Sequence, residues 1–229
     1  LQETQQITKF YTQLLNTTFI KRLLLLLLGL MVMALGVSLT VQANLGTSPI
    51  SSIPYVASIK FSSISLGTFT FIWNMLLIFA QFCLLGRDFK PYQLLQIPVS
   101  IYFGVAVDFT KWLISGLICT TYTAELIVLV MGCMFLALGV ALTLQSNLVM
   151  NSGEAFVQAV AYKTGKEFGN LKVIFDTTLV MLALLLSLLL CHQVNGVREG
   201  TIAAALMTGF IVRFLGGLLR HPVKRWLSA

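Results

Sequence analysis

Six stretches of the chain stay apolar for close to the roughly 20 residues that cross a bilayer as a helix. Residues 23–41, 126–144 and 173–191 carry almost no strongly polar side chain, while 69–85, 92–110 and 201–219 are interrupted by one or two polar groups. The pattern predicts six transmembrane helices. After the first and the fourth run it breaks in the same way. Asn44-Leu45-Gly46-Thr47-Ser48-Pro49 stands at one break and Asn147-Leu148-Val149-Met150-Asn151-Ser152-Gly153 at the other. A short, less apolar helical stretch follows each, near residues 49–59 and 153–162. Ser48 before Pro49 reads as an N-cap with proline at the first helical position. Asn151 with Glu154 three residues on reads as a capping-box variant. About 11 residues rise only about 16 Å, against a hydrocarbon core of about 30 Å. Both short helices are therefore expected to be re-entrant or broken, with protein or a cavity around them.

The two breaks belong to a longer repeat. Residues 29–45 (GLMVMALGVSLTVQANL) and 132–148 (GCMFLALGVALTLQSNL) match at 11 of 17 positions at an offset of 103. The matches include Thr40 with Thr143, Gln42 with Gln145 and Asn44 with Asn147, which hydropathy alone does not demand. The expected architecture is an all-α polytopic membrane protein of two homologous repeats, 23–115 and 125–219. Each has three spans and one short helix, and a segment 1–22 and a basic tail 220–229 flank them. Three spans per repeat would invert one half relative to the other. If the short helices cross, the chain has eight spans and the repeats are parallel. Gly29, Gly36 and Ala43, like Gly132, Gly139 and Ser146, recur every seven residues, a stripe that lets helix backbones approach closely in lipid.

Composition agrees: 57 % of residues are hydrophobic, 10 % are charged and the mean hydropathy is +0.89. The net charge of +7 is then a topology signal and not a nucleic-acid footprint. With six spans, eleven Lys and Arg fall on the side of both termini and three on the other, and eight spans give the same count. Both place the termini in the cytoplasm. The first apolar run superficially fits a cleavable leader, but it is long for one and recurs in mid-chain. The four cysteines form no C-x-x-C pair, and His192 and His221 stand far apart, so neither a metal nor another cofactor is expected. No H-E-x-x-H, G-x-S-x-G or P-loop occurs, and no enzyme activity is expected.

The stretch from Ala43 to Pro49 behind a Gly-rich first helix, with a second copy downstream, resembles the YczE/YyaS/YitT family of bacterial integral membrane proteins. The likeness covers nearly the whole chain. Where that family often has Trp-Asp after the proline, this chain has Ile50 and Ser51. The resemblance implies a multi-pass protein of the bacterial inner membrane.

Candidate chemistry sits at the breaks. Gln42, Asn44, Thr47 and Ser48 in one half, and Gln145, Asn147, Asn151, Ser152 and Glu154 in the other, could bind a solute between two helix N-termini, whose free N–H groups favour an anionic group. The plainer reading is that they cap helix ends. Asp108, Asp176 and Arg213 lie in apolar runs, where a lone charge is costly, and Asn74 aligns with Asp176 at an offset of 102. Against a pathway role, Lys172 and Asp176 are four apart and can pair on the helix surface. Arg213 can snorkel, or it can meet Asp176. The function expected is secondary transport of a small polar organic solute, an anion included, by alternating access. The alternatives are a non-transporting scaffold or accessory subunit, and a substrate-capture subunit. The expected partners are the lipid bilayer and the solute, with a homodimer left open.

Overall fold

A computed structural model describes residues 17–193 and 196–228, so most of the N-terminal segment lies outside the described residues. Eight helices follow in order: α1 (Thr17–Gln42), α2 (Pro49–Lys60), α3 (Leu66–Leu85), α4 (Gln96–Leu113), α5 (Tyr122–Ser146), α6 (Ser152–Thr164), α7 (Phe168–Cys191) and α8 (Glu199–Ser228). Among the described residues there is no strand. Two 3-10 turns, Gly86–Asp88 and Pro91–Leu95, join α3 to α4. Five helices (α1, α3, α5, α7 and α8) are long and apolar enough to cross a membrane. The sixth expected span, α4, has 18 residues and carries Gln96, Ser100, Asp108 and Lys111. It nevertheless packs against α1 and α3 like a member of the bundle. The tail expected at 220–229 continues α8 as helix to Ser228.

The core is the contact of α1 with α5, the most extensive in the molecule. It is dry and close because glycine backbones meet across it. A Cβ at Gly29 would lie 2.9 Å from Thr143 Cγ2, and one at Gly132 would lie 2.7 Å from Thr40 Cγ2. Between them a Cβ at Gly36 would reach the Leu136 backbone, and one at Gly139 the Met33 backbone. As the number on α1 rises, that on α5 falls, so the helices run antiparallel. The contacts are also reciprocal. Adding 103 to one partner and subtracting it from the other turns Gly29–Thr143 into Gly132–Thr40, and Gly36–Leu136 into Gly139–Met33.

Reciprocity extends outward. α4 lies beside α1 as α8 lies beside α5, α2 packs on α7 as α6 packs on α3, and each short helix touches the long helix that follows it. One correspondence fails. α3 and α4 form a close hairpin, whereas α7 and α8 barely touch among the described residues. The outward face of α8, with Ile202, Leu206, Phe210, Phe214 and Leu218, is mostly exposed.

Candidate functional site

The two short helices begin together. Ile50, the second residue of α2, inserts its Cδ1 against Gly153, the second residue of α6. These are matched positions, 103 apart. Only a glycine leaves room there for the isoleucine. From this point α2 runs to Lys60 and α6 to Lys163, toward opposite ends of α3. Lys60 lies just before the start of α3, and Lys163 Nζ donates to Asp88 Oδ2 at 2.7 Å just beyond its end. The two ends of the bundle are called here the Lys60 face and the Lys163 face. The N-termini approach as expected, but Ile50 fills the place where they meet.

At the Lys60 face the break is packed against α8, with only the Asn44 side chain left exposed. Ala43, Leu45, Thr47 and Ser48 are buried. Asn44 takes a left-handed conformation (φ 56°) as α1 ends, which asparagine tolerates better than most residues. Its carbonyl accepts from Arg198 Nη1 at 3.1 Å, and Gly200 N–H donates to the Leu45 carbonyl at 2.9 Å. Gly46, at φ 108°, leaves space for Thr201 of α8 that any side chain would take. The hydroxyls of Thr40 and Thr47 bond to each other at 2.9 Å, and Ser48 donates to Ser51 Oγ at 3.0 Å. Thr47 and Ser48 are thus satisfied within the fold. Ser48 is the N-cap of α2, with proline at its first position, but its side chain does not cap the helix.

At the Lys163 face the matching break is open. Asn147 is again left-handed (φ 52°), but it lines a cavity of about 760 Å³. Arg87, Asp88 and Lys90 of the α3–α4 turn line one side of this cavity, and Leu144 and residues 147–150 of the break another. The third wall is one face of α6, with Ala155, Gln158, Ala159 and Tyr162 at helical spacing. Tyr92 and Tyr162, both well exposed, stand at its mouth. Asp88 is paired with Lys163, so Arg87 and Lys90 leave the lining net positive. Polar Gln93, Gln96 and Gln158 alternate with Leu85, Leu148, Val149 and Met150. The lining suits a small organic molecule with a polar or anionic end.

Other residues named from the sequence serve the scaffold around this cavity. Gln42 and Gln145 do the same thing in the two halves. Gln42 Nε2 donates to the Leu117 carbonyl just after α4, and Gln145 Nε2 to the Gly216 carbonyl of α8 at 3.3 Å. Asn151 Oδ1 accepts from Ser152 N–H at 3.0 Å and caps α6. The Ser152 hydroxyl meets Ser100 Oγ at 3.2 Å, and its carbonyl accepts from Gln81 Nε2 at 3.2 Å. Asn74 is 3 % exposed, and its Nδ2 has no hydrogen-bond partner. Asp176 pairs with Lys172 at 2.7 Å, the surface-pair alternative, and Arg213 lies exposed on the far side of α8. Asp108 has a local role. Its carboxylate accepts from Gly67 N–H at 2.7 Å and from the Ser65 hydroxyl at 2.6 Å, holding the first turn of α3.

Sequence reasoning passed over the amide pair below the cavity. Gln81 and Gln96, both buried, exchange two hydrogen bonds at 3.2 and 3.1 Å, and Gln96 also reaches the lining. The available signal was two amides in each of two apolar runs, Asn74 and Gln81 in 69–85 and Gln93 and Gln96 in 92–110, which in lipid demand partners. Among the described residues no group of His, Cys, Asp and Glu could hold a metal ion.

The chain belongs to DUF6198, a family of unknown function whose model matches residues 20–216. It is 27 % identical over 187 residues to the "Uncharacterized membrane protein YczE" of Bacillus subtilis, with 81 % of each chain covered. It is 22 % identical over 200 residues to the "Uncharacterized protein YyaS" of the same organism, covering 86 % of this chain and 94 % of that one. These relatives bear out the resemblance drawn from residues 43–49 and the membrane location. No solved structure matches the chain.

Proposed function

With this membership as premise, we propose that the protein is a secondary carrier for a small polar organic solute, with an anionic group favoured. In this reading it sits in a bacterial inner membrane and has no enzyme activity. One observation carries the proposal: of two matching breaks, one packs against Arg198 and Thr201 at the Lys60 face and the other lines a cavity at the Lys163 face. A carrier that exposes one side at a time needs this asymmetry in two like halves.

The reciprocal antiparallel contacts of α1 and α5 support inverted repeats, because a two-fold axis in the membrane plane makes matched helices antiparallel. Eight spans would make them parallel. The short helices then enter the membrane and return, α2 to the Lys60 face and α6 to the Lys163 face. The excess of Lys and Arg favours the Lys163 face in the cytoplasm, and in this reading the open cavity belongs to a cytoplasm-facing state. A sealed, dry protein would have favoured a scaffold, and a cavity at the outer face a capture subunit.

Thermal-shift screening of the purified protein against a metabolite collection tests the carrier. A ligand at about 100 times its Kd should stabilise the fold by about 2.7 kcal/mol. That gain should vanish in Gln158→Trp, which fills the cavity, and fall in Arg87→Ala/Lys90→Ala. Stabilisation that survives both variants would remove the cavity as the site. For the orientation, Lys60→Cys should react with an impermeant maleimide on intact cells, and Lys163→Cys only after permeabilisation. The opposite result would reverse the topology.

A further inference from the structure

One helical turn before the cavity-lining Gln158 of α6 begins a cluster of charge that the solute cavity does not use up. Glu154 stands on the first turn of α6, and Lys172 and Asp176 stand one turn apart on α7. Lys172 Nζ is 2.7 Å from Asp176 Oδ1. α6 packs on α7, and Glu154 lies close enough to Lys172 and Asp176 to feel both charges. Its Oε2 is buried and has no hydrogen-bond partner. The one ammonium of the group is taken by Asp176, so the Glu154 carboxylate has no ion-pair partner of its own among the described residues, and an unpaired buried charge is costly.

Among the described residues, the helices packed on α6 and α7 bring no other charge to the cluster. α3, which packs on α6, contains no Asp, Glu, Lys, Arg or His. α2, which packs on α7, offers Tyr55 and, at its far end, Lys60. Lys163 of α6 itself is held by Asp88.

The duplication supplies an internal control. The positions matched to Glu154, Lys172 and Asp176 are Ser51, Thr70 and Asn74, at offsets of 103, 102 and 102. The Ser51 oxygen accepts from Ser48, and the Thr70 hydroxyl donates to the Leu66 carbonyl at 2.8 Å. The same fold therefore forms with neutral side chains in all three places. Charge in one copy alone is not something the packing requires.

We propose that Glu154 Oε2 is a proton-binding site that couples solute movement to a proton gradient. This rests on the carrier reading above and names its driving ion. One proton converts the carboxylate to a neutral acid, takes the cluster from one net negative charge to none, and leaves the Lys172–Asp176 pair intact. A metal cation is the poorer occupant, because Lys172 already holds the second carboxylate and would repel it.

The test is infrared difference spectroscopy of the full chain in lipid bilayers as the pH is stepped, with no solute present. A carboxylic-acid carbonyl band should vanish with rising pH in the parent protein. It should be missing from Glu154→Gln and retained in Glu125→Gln. Lys172→Met removes the compensating ammonium and should tighten proton binding about tenfold or more. Asp176→Asn frees that ammonium for Glu154 and should weaken binding by a similar factor. No such band in the parent, or a band still present in Glu154→Gln, overturns the proposal. So does a band whose pH dependence ignores both neighbours. If Glu154→Gln does not fold, the two neighbour variants decide. A cavity ligand found with no titrating band defeats the proton site alone. A titrating band with no cavity ligand defeats the carrier and leaves the proton site standing.

Discussion

The breaks after α1 and α5 begin from nearly the same seventeen residues and end in opposite states. Both turn at a left-handed asparagine, and both are anchored by a glutamine that clamps a carbonyl in its own half. Beyond that point the neighbours differ. Arg198 and Thr201, at the start of α8, hold the Asn44 carbonyl and pack on Gly46. At the other break Tyr92, Gln93 and Gln96, around the start of α4, line the cavity together with Asn147. A similar contrast separates the hairpins. Gly67 lies against Gly104, and Asp108 clasps the first turn of α3, whereas α7 and α8 stand apart and Gly169, matched to Gly67, faces open space. The contact between α1 and α5 is shared equally by both halves. What differs lies at the ends of the outer helices, where one break is packed and the other lines a cavity.

The strongest way to break this comparison is to attack the shared contact. Gly36→Leu and Gly139→Leu each drive a side chain into the facing backbone and should cost about 3 kcal/mol or more. The two losses should be similar, because the contacts are reciprocal. Thermal unfolding and monodispersity in detergent measure both. A severe loss in one and none in the other would show that the halves do not share the contact evenly.

A smaller effect should appear in only one half. Asp108→Ala leaves Gly67 N–H and the Ser65 hydroxyl without their carboxylate and should cost about 2 kcal/mol. Hydrogen exchange should quicken in the first turn of α3 and leave α7 unchanged. If α7 loosens equally, the clasp is not confined to the closed half.

The smallest effect concerns the open half. Gly169→Ala meets no atom and should leave stability within about 0.5 kcal/mol or raise it slightly, as alanine favours helix. Gly67→Ala, the matched change, meets the Gly104 carbonyl and the Asp108 carboxylate and should destabilise clearly in the same melting assay. Equal melting temperatures for these two variants would erase the distinction between the hairpins.

Much of this was legible along the chain. The apolar runs set the spans. Ser48-Pro49 and Asn151 marked the starts of the short helices, and the seven-residue glycine spacing marked the faces that meet. Gln42, Asn44, Gln145 and Asn147 stood out because polar residues repeated in an apolar setting need a reason. The reason proved mainly structural: two carbonyl clamps and two left-handed caps, with Asn147 also lining the cavity. Glu154 was visible as a capping residue, but not as a carboxylate with a buried, unpartnered oxygen.

The sequence by itself determined an all-helical membrane chain with a seventeen-residue segment present twice, the positions of both breaks and the close approach at glycine. Only the tertiary structure decided that α2 packs on α7 and α6 on α3, that Gln81 faces Gln96, that Asp108 clasps α3, and which break is packed against α8. The physical reason is that lipid is as apolar as a helix interface. Hydropathy therefore places a helix in the bilayer without saying which side meets protein. Partner choice rests on the fit of individual residues, such as Ile50 on Gly153 or Arg198 on Asn44, that lie about a hundred or more positions apart in the chain.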